Sequence, residues 1–227
     1  MRDETAHSKI FDRSTRSEFI SILRLTPHGC SADRAVAPEP PGAGGAPPAV
    51  EYRLMPTSSI DFAHFFDYLI GSRGRLLEWV RAQPSEVYTR TFPIGLGSIQ
   101  ATLVHTAAAE WAYAERLGGR EVALADSPFT VERQPEFDPF ATAWERRSPV
   151  TRLALATLGD PARPVEYISR MGPKPMRIRA TAGGIAGQLL FHEVHHRAQV
   201  MAMLRQVGVA AENLDYSVLK FERTPAG

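Results

Sequence analysis

One run near the C-terminal end limits the folds open to this chain more than any other feature. Ile185, Leu189, His192, His196, Val200, Met203 and Val207 succeed one another at steps of 4, 3, 4, 4, 3 and 4. That spacing predicts one face of a long α-helix from Thr181 to Val207, stopped by Gly208. Two histidines occupy positions in an otherwise apolar row. They stand one turn apart, so both imidazoles project the same way and can share one ion. An unpaired polar group in an apolar interior costs about 1–3 kcal/mol, so such a pair needs partners. Glu193 and His195 are rotated by roughly 100° from their histidine neighbours on the stripe, which places them at its flank or on the surface.

The helical period recurs three times upstream. Phe62, Phe66, Leu69, Leu76 and Val80 predict a first helix, with Ser58 and Asp61 spaced as a capping box and "AQPSE" as its breaker. A second helix is expected from Ser98 to Gly118-Gly119, rich in alanine and central. Residues 120 to 137 read as a loop. Asp138-Pro139 then opens a third helix that runs to Leu158-Gly159, kinked or split near Ser148 by Pro149. Two β-prone runs flank Gly172-Pro173-Lys174-Pro175 and predict a small hairpin before the last helix. The tail "ENLDYSVLKFE" is expected to fold over one end. Together these elements predict an all-α protein, a four-helix bundle with one inserted hairpin.

Residues 36 to 49 are almost wholly Pro, Gly and Ala, a composition that cannot form a core. Residues 1 to 54 therefore read as a disordered extension, or as a stretch preceding a true start at Met55. No function is assigned to His7, His28 or Cys30 within it, and the domain itself is expected at 55–227. Balanced charge, 26 basic against 25 acidic residues, leaves no electrostatic footprint for nucleic acid. No apolar run is long enough to span a membrane. One cysteine excludes an intrachain disulfide and fits a reducing cytoplasm.

Two imidazoles are too few for a tight metal site. His105, midway along the second helix, is the best third ligand, because the small neighbours Ala101, Ala108, Ala109 and Ala112 leave room for a pocket. Three neutral histidines would form a facial set for Zn²⁺ or Ni²⁺ with positions open to water or substrate. His192-Glu193-Val194-His195-His196 also satisfies the H-E-x-x-H pattern of zinc proteases. The sequence after it lacks a third ligand in any recognisable helix motif, and no edge-strand sheet precedes it to hold an extended peptide. The protease reading is set aside.

The histidine in "SIQATLVHTAAAEWAYAERLGG", the run "HEVHHRAQV" and the ending "LDYSVLKFE" resemble the DinB-like (DinB/YfiT) family over about residues 58 to 222. The family's run is H-x-x-x-H-R-G-Q; here Ala198 stands in place of the glycine. The resemblance implies an up-down-down-up four-helix bundle that binds Ni²⁺ or Zn²⁺ through His105, His192 and His196. It also implies one of several activities. One is transfer of a bacillithiol-type or mycothiol-type thiol to an electrophilic small molecule; another is metal-dependent hydrolysis. A divalent ion with an open position lowers the pKa of coordinated water to about 7 and stabilises a thiolate, so both fit. With no cysteine in the domain, any thiol nucleophile must come from a small molecule. A non-catalytic metal-binding or ligand-binding bundle, dimeric through an apolar helix face, is the rival from another class.

Among the remaining residues, His195 is expected at the surface or behind the ligands, and His64 is expected to be structural. Glu110, Trp111 and Tyr113 are candidates to line the pocket. Arg197 is expected to form an ion pair between helices.

Overall fold

In a computed structural model of the protein, residues 60–170 and 173–224 are described. The expected extension, the Ser58 half of the capping box and Gly172 of the hairpin turn lie outside these residues. Among the described residues the fold is mostly helical, with α1 at Phe62–Arg81, α2 at Ser85–Thr89, α3 at Ile99–Leu117, α4 at Phe137–Ala156, α5 at Ala182–Gln206 and α6 at Tyr216–Lys220. Strands β1, Pro164–Ser169, and β2, Met176–Thr181, pair antiparallel with Val165 opposite Ala180 and Tyr167 opposite Ile178, as the hairpin expectation required. No described helix is long and apolar enough to cross a membrane.

Helix boundaries follow from caps. Asp61 itself caps α1, its carboxylate accepting from the His64 N–H at 2.9 Å. Ser98 and Thr181 do the same for α3 and α5, accepting from Ala101 and Gly184. Gly119 and Gly208 follow the ends of α3 and α5 at φ of 79° and 88°, a left-handed backbone that favours glycine. Two expectations need correction. Helix α4 begins at Phe137, with Glu136 rather than Asp138 at its N-cap. It also runs unbroken through Pro149, with no split at Ser148. Pro149 lies on the exposed side, where water can bond the carbonyl that loses its helical partner.

Each long helix packs on two others. Helix α3 meets α5 and α4, and α1 meets the same two. Buried side chains form two groups. One joins Phe66 and Leu69 of α1, Leu117 of α3, Leu155 of α4, and Ile185 and Leu189 of α5. The other joins Leu76 and Val80 of α1, Ile99 and Leu103 of α3, Phe140 and Trp144 of α4, and Val200 and Leu204 of α5. Helices α1 and α5 thus enter the first group by their N-terminal halves, while α3 and α4 enter it by their C-terminal ends.

Between the two apolar groups lies a polar layer. Arg73 of α1, only 2 % exposed, meets Glu110 of α3 at 2.6 Å and Glu193 of α5 at 2.5 Å. Helix α4 completes the layer. Trp144 Nε1 and Thr151 Oγ1 donate to Glu110, and Ser148 Oγ accepts from Arg73. The guanidinium also lies 4.0 Å over the Trp144 ring. Burial alone would lower the Arg73 pKa, but the two carboxylates overcome it and raise it. All four long helices contribute to this one cluster.

Candidate metal centre

Helices α3 and α5 pack more extensively on each other than any other pair, and the histidines meet across that seam. His105 comes from the middle of α3, and His192 and His196 from successive turns of α5. Their ligand nitrogens all lie within 4.8 Å of one another, a group that could hold a metal ion. His105 Nε2 and His192 Nε2 stand 3.2 Å apart. Two nitrogens each about 2.1 Å from one ion, at tetrahedral or octahedral angles, are separated by roughly 3.0–3.4 Å. The spacing therefore fits a shared divalent ion.

The protonation states fit as well. Burial, followed by the neighbouring His196, pushes His105 down to about 4. Burial and the other three histidines push His192 down to about 3. His196 is also lowered by burial, partly offset by its bond to Gln199. At neutral pH all three are neutral imidazoles, the form that donates a lone pair to a metal.

Gln199, one turn beyond His196, orients the set. Its Oε1 stands 2.8 Å from His196 Nδ1, and its amide nitrogen stands 3.0 Å from His195 Nε2. With the amide donating to His195, its oxygen accepts the His196 Nδ1–H. That tautomer leaves His196 Nε2 free to ligate. Gly95, in the turn before α3, closes over this amide with φ of 54°. A Cβ placed there would lie 2.5 Å from Gln199 Oε1. Gly95→Ala is expected to lower stability by about 1–3 kcal/mol through left-handed strain and this clash. A thermal melt checks it, and NMR of the His196 Nδ1–H reports whether Gln199 has been displaced.

Several sequence expectations change here. Glu193 is buried, not at the flank, and both its oxygens bind Arg73. It therefore cannot serve as the free carboxylate that a zinc-protease reading of H-E-x-x-H requires. His192 is half-buried at the flank instead. Arg197 is buried, but it bonds the hydroxyls of Ser72 and Tyr68 rather than a carboxylate, because Glu193 one turn away is already engaged. Ala108, Ala109 and Ala112 are buried, so they serve close helix packing, and Ala101 alone of the four stays half-buried. Glu110 belongs to the polar layer and Trp111 packs against the apolar core. Tyr113 does stand beside the site, its ring centroid 6.2 Å from that of His192.

Other placements agree with expectation. His195 is exposed, and His64 Nε2 bonds the Tyr216 hydroxyl at 2.8 Å, tying α1 to the C-terminal segment. Sequence reasoning missed three residues of the support. Gln199 was visible in principle, since it sits three residues after His196 on the same helix. Arg73 also left a signal, a charge on the apolar stripe of α1 between Leu69 and Leu76. Gly95 carried none beyond being a glycine in a turn.

A search of curated proteins returned no significant match. The DinB family model matches residues 55–225, which takes in all six helices and the three converging histidines. The chain belongs to the DinB family.

Proposed function

We propose that His105, His192 and His196 hold Zn²⁺ or Ni²⁺, and that the protein transfers a low-molecular-weight thiol to an electrophilic small molecule. The observation that carries this reading is the convergence of three neutral imidazoles with no carboxylate among them. Family membership supports it. In the same reading the domain, residues 55–227, is an up-down-down-up four-helix bundle in a reducing cytoplasm. The opposite entry of α1 and α5 against α3 and α4 into the two core groups favours that topology.

An ion held by three imidazoles supplies charge stabilisation for a thiolate, lowering the cost of its ionisation. The chain's own residues hold and orient. Gln199 fixes the His196 tautomer, and the Arg73–Glu193 pair fixes the turn of α5 between His192 and His196. Tyr113 walls one side of the site beside His192. The sequence places its single cysteine at position 30, outside the family match, so the thiol is supplied by a cofactor of the bacillithiol or mycothiol type.

The test uses the full chain purified without a histidine tag, with bound metal measured by mass spectrometry. About one divalent ion per chain is expected, falling at least tenfold in His105→Ala and His196→Ala. The metal-loaded protein is then given monochlorobimane with a low-molecular-weight thiol, and separately p-nitrophenyl acetate without one. Thiol-dependent turnover that follows metal content supports the transferase. Turnover of the ester alone makes the protein a hydrolase. Metal without either turnover makes it a binding bundle, and no metal after reconstitution overturns the reading altogether.

A further inference from the structure

We propose that a cleft on the far side of α5 binds a small organic monoanion, independently of the histidine centre. Val194, Ala198, Met201 and Arg205 follow steps of 4, 3 and 4 along α5, a continuous face. At roughly 100° per residue this face lies about half a turn around the helix from His192 and His196. With Arg197, Leu214 and Asp215 it lines a cleft of about 420 Å³, within the usual range of ligand sites.

The unusual feature of the cleft is its charge. Arg197 is 6 % exposed, so its guanidinium has been taken out of water. It donates to Ser72 Oγ at 2.5 Å and Tyr68 OH at 2.6 Å, both neutral acceptors, and lies 5.2 Å over the Tyr68 ring. Among the described residues no carboxylate lies within 4.0 Å of it. Of the other two buried arginines, Arg73 has two, while Arg116 has none and donates to the Val122 carbonyl. Nη1 and Nη2 each give one N–H to a hydroxyl, and a guanidinium with five N–H groups keeps capacity for a further acceptor. A buried cation lacking a counter-charge is costly, and an anion seated in the adjoining cleft would offset that cost.

The walls narrow the ligand class. Val194, Ala198, Met201 and Leu214 offer apolar surface, so a short hydrocarbon body is accommodated beside the charge. Arg205 on the rim already donates to the Ala211 carbonyl, and Asp215 adds a negative charge there. The balance suits one negative charge rather than two. A short-chain carboxylate satisfies both requirements; inorganic phosphate does not.

Binding is measured by titration calorimetry on the full chain freed of metal by chelation, so that a carboxylate cannot ligate an ion. The probes are hexanoate, hexanol, hexylamine and inorganic phosphate. Hexanoate is expected to bind saturably and at least tenfold more tightly than the other three. Ala198→Trp fills the cleft from an exposed position while keeping the Arg197 side chain itself, and should weaken hexanoate at least tenfold. Asp215→Asn removes the opposing charge and should tighten it roughly two- to fivefold; its carboxylate caps no helix N–H. The proposal is overturned if hexanol binds as well as hexanoate, if phosphate binds more tightly, or if Ala198→Trp changes nothing. It also fails if binding disappears in His105→Ala rather than in Ala198→Trp, which would place the anion at the histidines.

Discussion

Arg73→Met is expected to destabilise the protein by about 3–5 kcal/mol, because it strands two carboxylates in the interior. Glu110 and Glu193 are 3 % and 4 % exposed, and among the described residues Arg73 is the one cation both contact. Burial already raises the Glu110 pKa, with Arg73 holding it back, so removing the guanidinium takes away the main opposition. Methionine keeps the length and apolar contacts of the arginine stem, so the loss reports the charge rather than a cavity. Urea unfolding at neutral pH measures it. Adding Glu193→Gln should recover part of the loss, since one stranded charge is gone. A cost below about 1 kcal/mol would mean that water reaches the carboxylates and that the layer is not sealed. The effect should extend to the candidate site, because Glu193 sits between His192 and His196 on α5.

Mild acid is expected to weaken the metal-free protein more than an ordinary helical domain. His105 and His192 are pushed down to about 4 and about 3, whereas an unfolded histidine titrates near 6.5. Above pH 6.5 both states carry neutral imidazoles, and these groups add no pH dependence. Below it the unfolded chain takes up protons that the folded chain refuses, so stability falls as pH falls. The loss grows until about pH 4 for His105 and about pH 3 for His192. Allowing for rings that are only half-buried, it amounts to about 2 kcal/mol for each histidine. Acidic side chains held by arginines, such as Asp67 beside Arg152 and Glu115 beside Arg120 and Arg147, have lowered pKa values and begin to matter only at lower pH. Glu110, raised by burial, acts in the opposite direction, so the difference in slope between the wild type and His192→Gln from pH 6.5 to 5 is what isolates the histidine. His192→Gln should flatten the slope there; an unchanged slope would show that the cluster is open to water. Metal release follows the same direction, since protons compete for the same nitrogens.

Much of the fold was legible because it rests on short-range rules. The period of α5, the Ser98 cap of α3, the glycines after α3 and α5 and the two β-prone runs each depend on a few neighbouring residues. The pairing of His192 with His196 belongs to the same class, since one helical turn brings them to one side. His105 could be nominated but not located. Its distance from the other two depends on how α3 lies against α5, which no local pattern encodes.

The errors share one physical origin. The stripe through α5 could be drawn through His192 or through Glu193, which differ by roughly 100° around the axis. Hydrophobicity favoured neither polar residue. The structure buried Glu193 because Arg73, from a helix 120 residues earlier in the chain, was there to meet it. Arg197 lost its expected carboxylate for the same reason. Pro149 was read as a kink or a split because local rules treat an interior proline as costly; facing solvent, it left α4 unsplit.

The sequence by itself determined where the long helices begin and end to within a few residues, where the hairpin sits, and that two imidazoles share one face of the last long helix. Those features follow from backbone hydrogen bonding and side-chain period, which act over a turn or two of chain. Only the tertiary structure decided which polar residues of α5 turn inward, that Gly95 closes on Gln199, and that Arg197 enters the interior without a carboxylate. Each of those outcomes is set by what another helix or loop presents at contact distance.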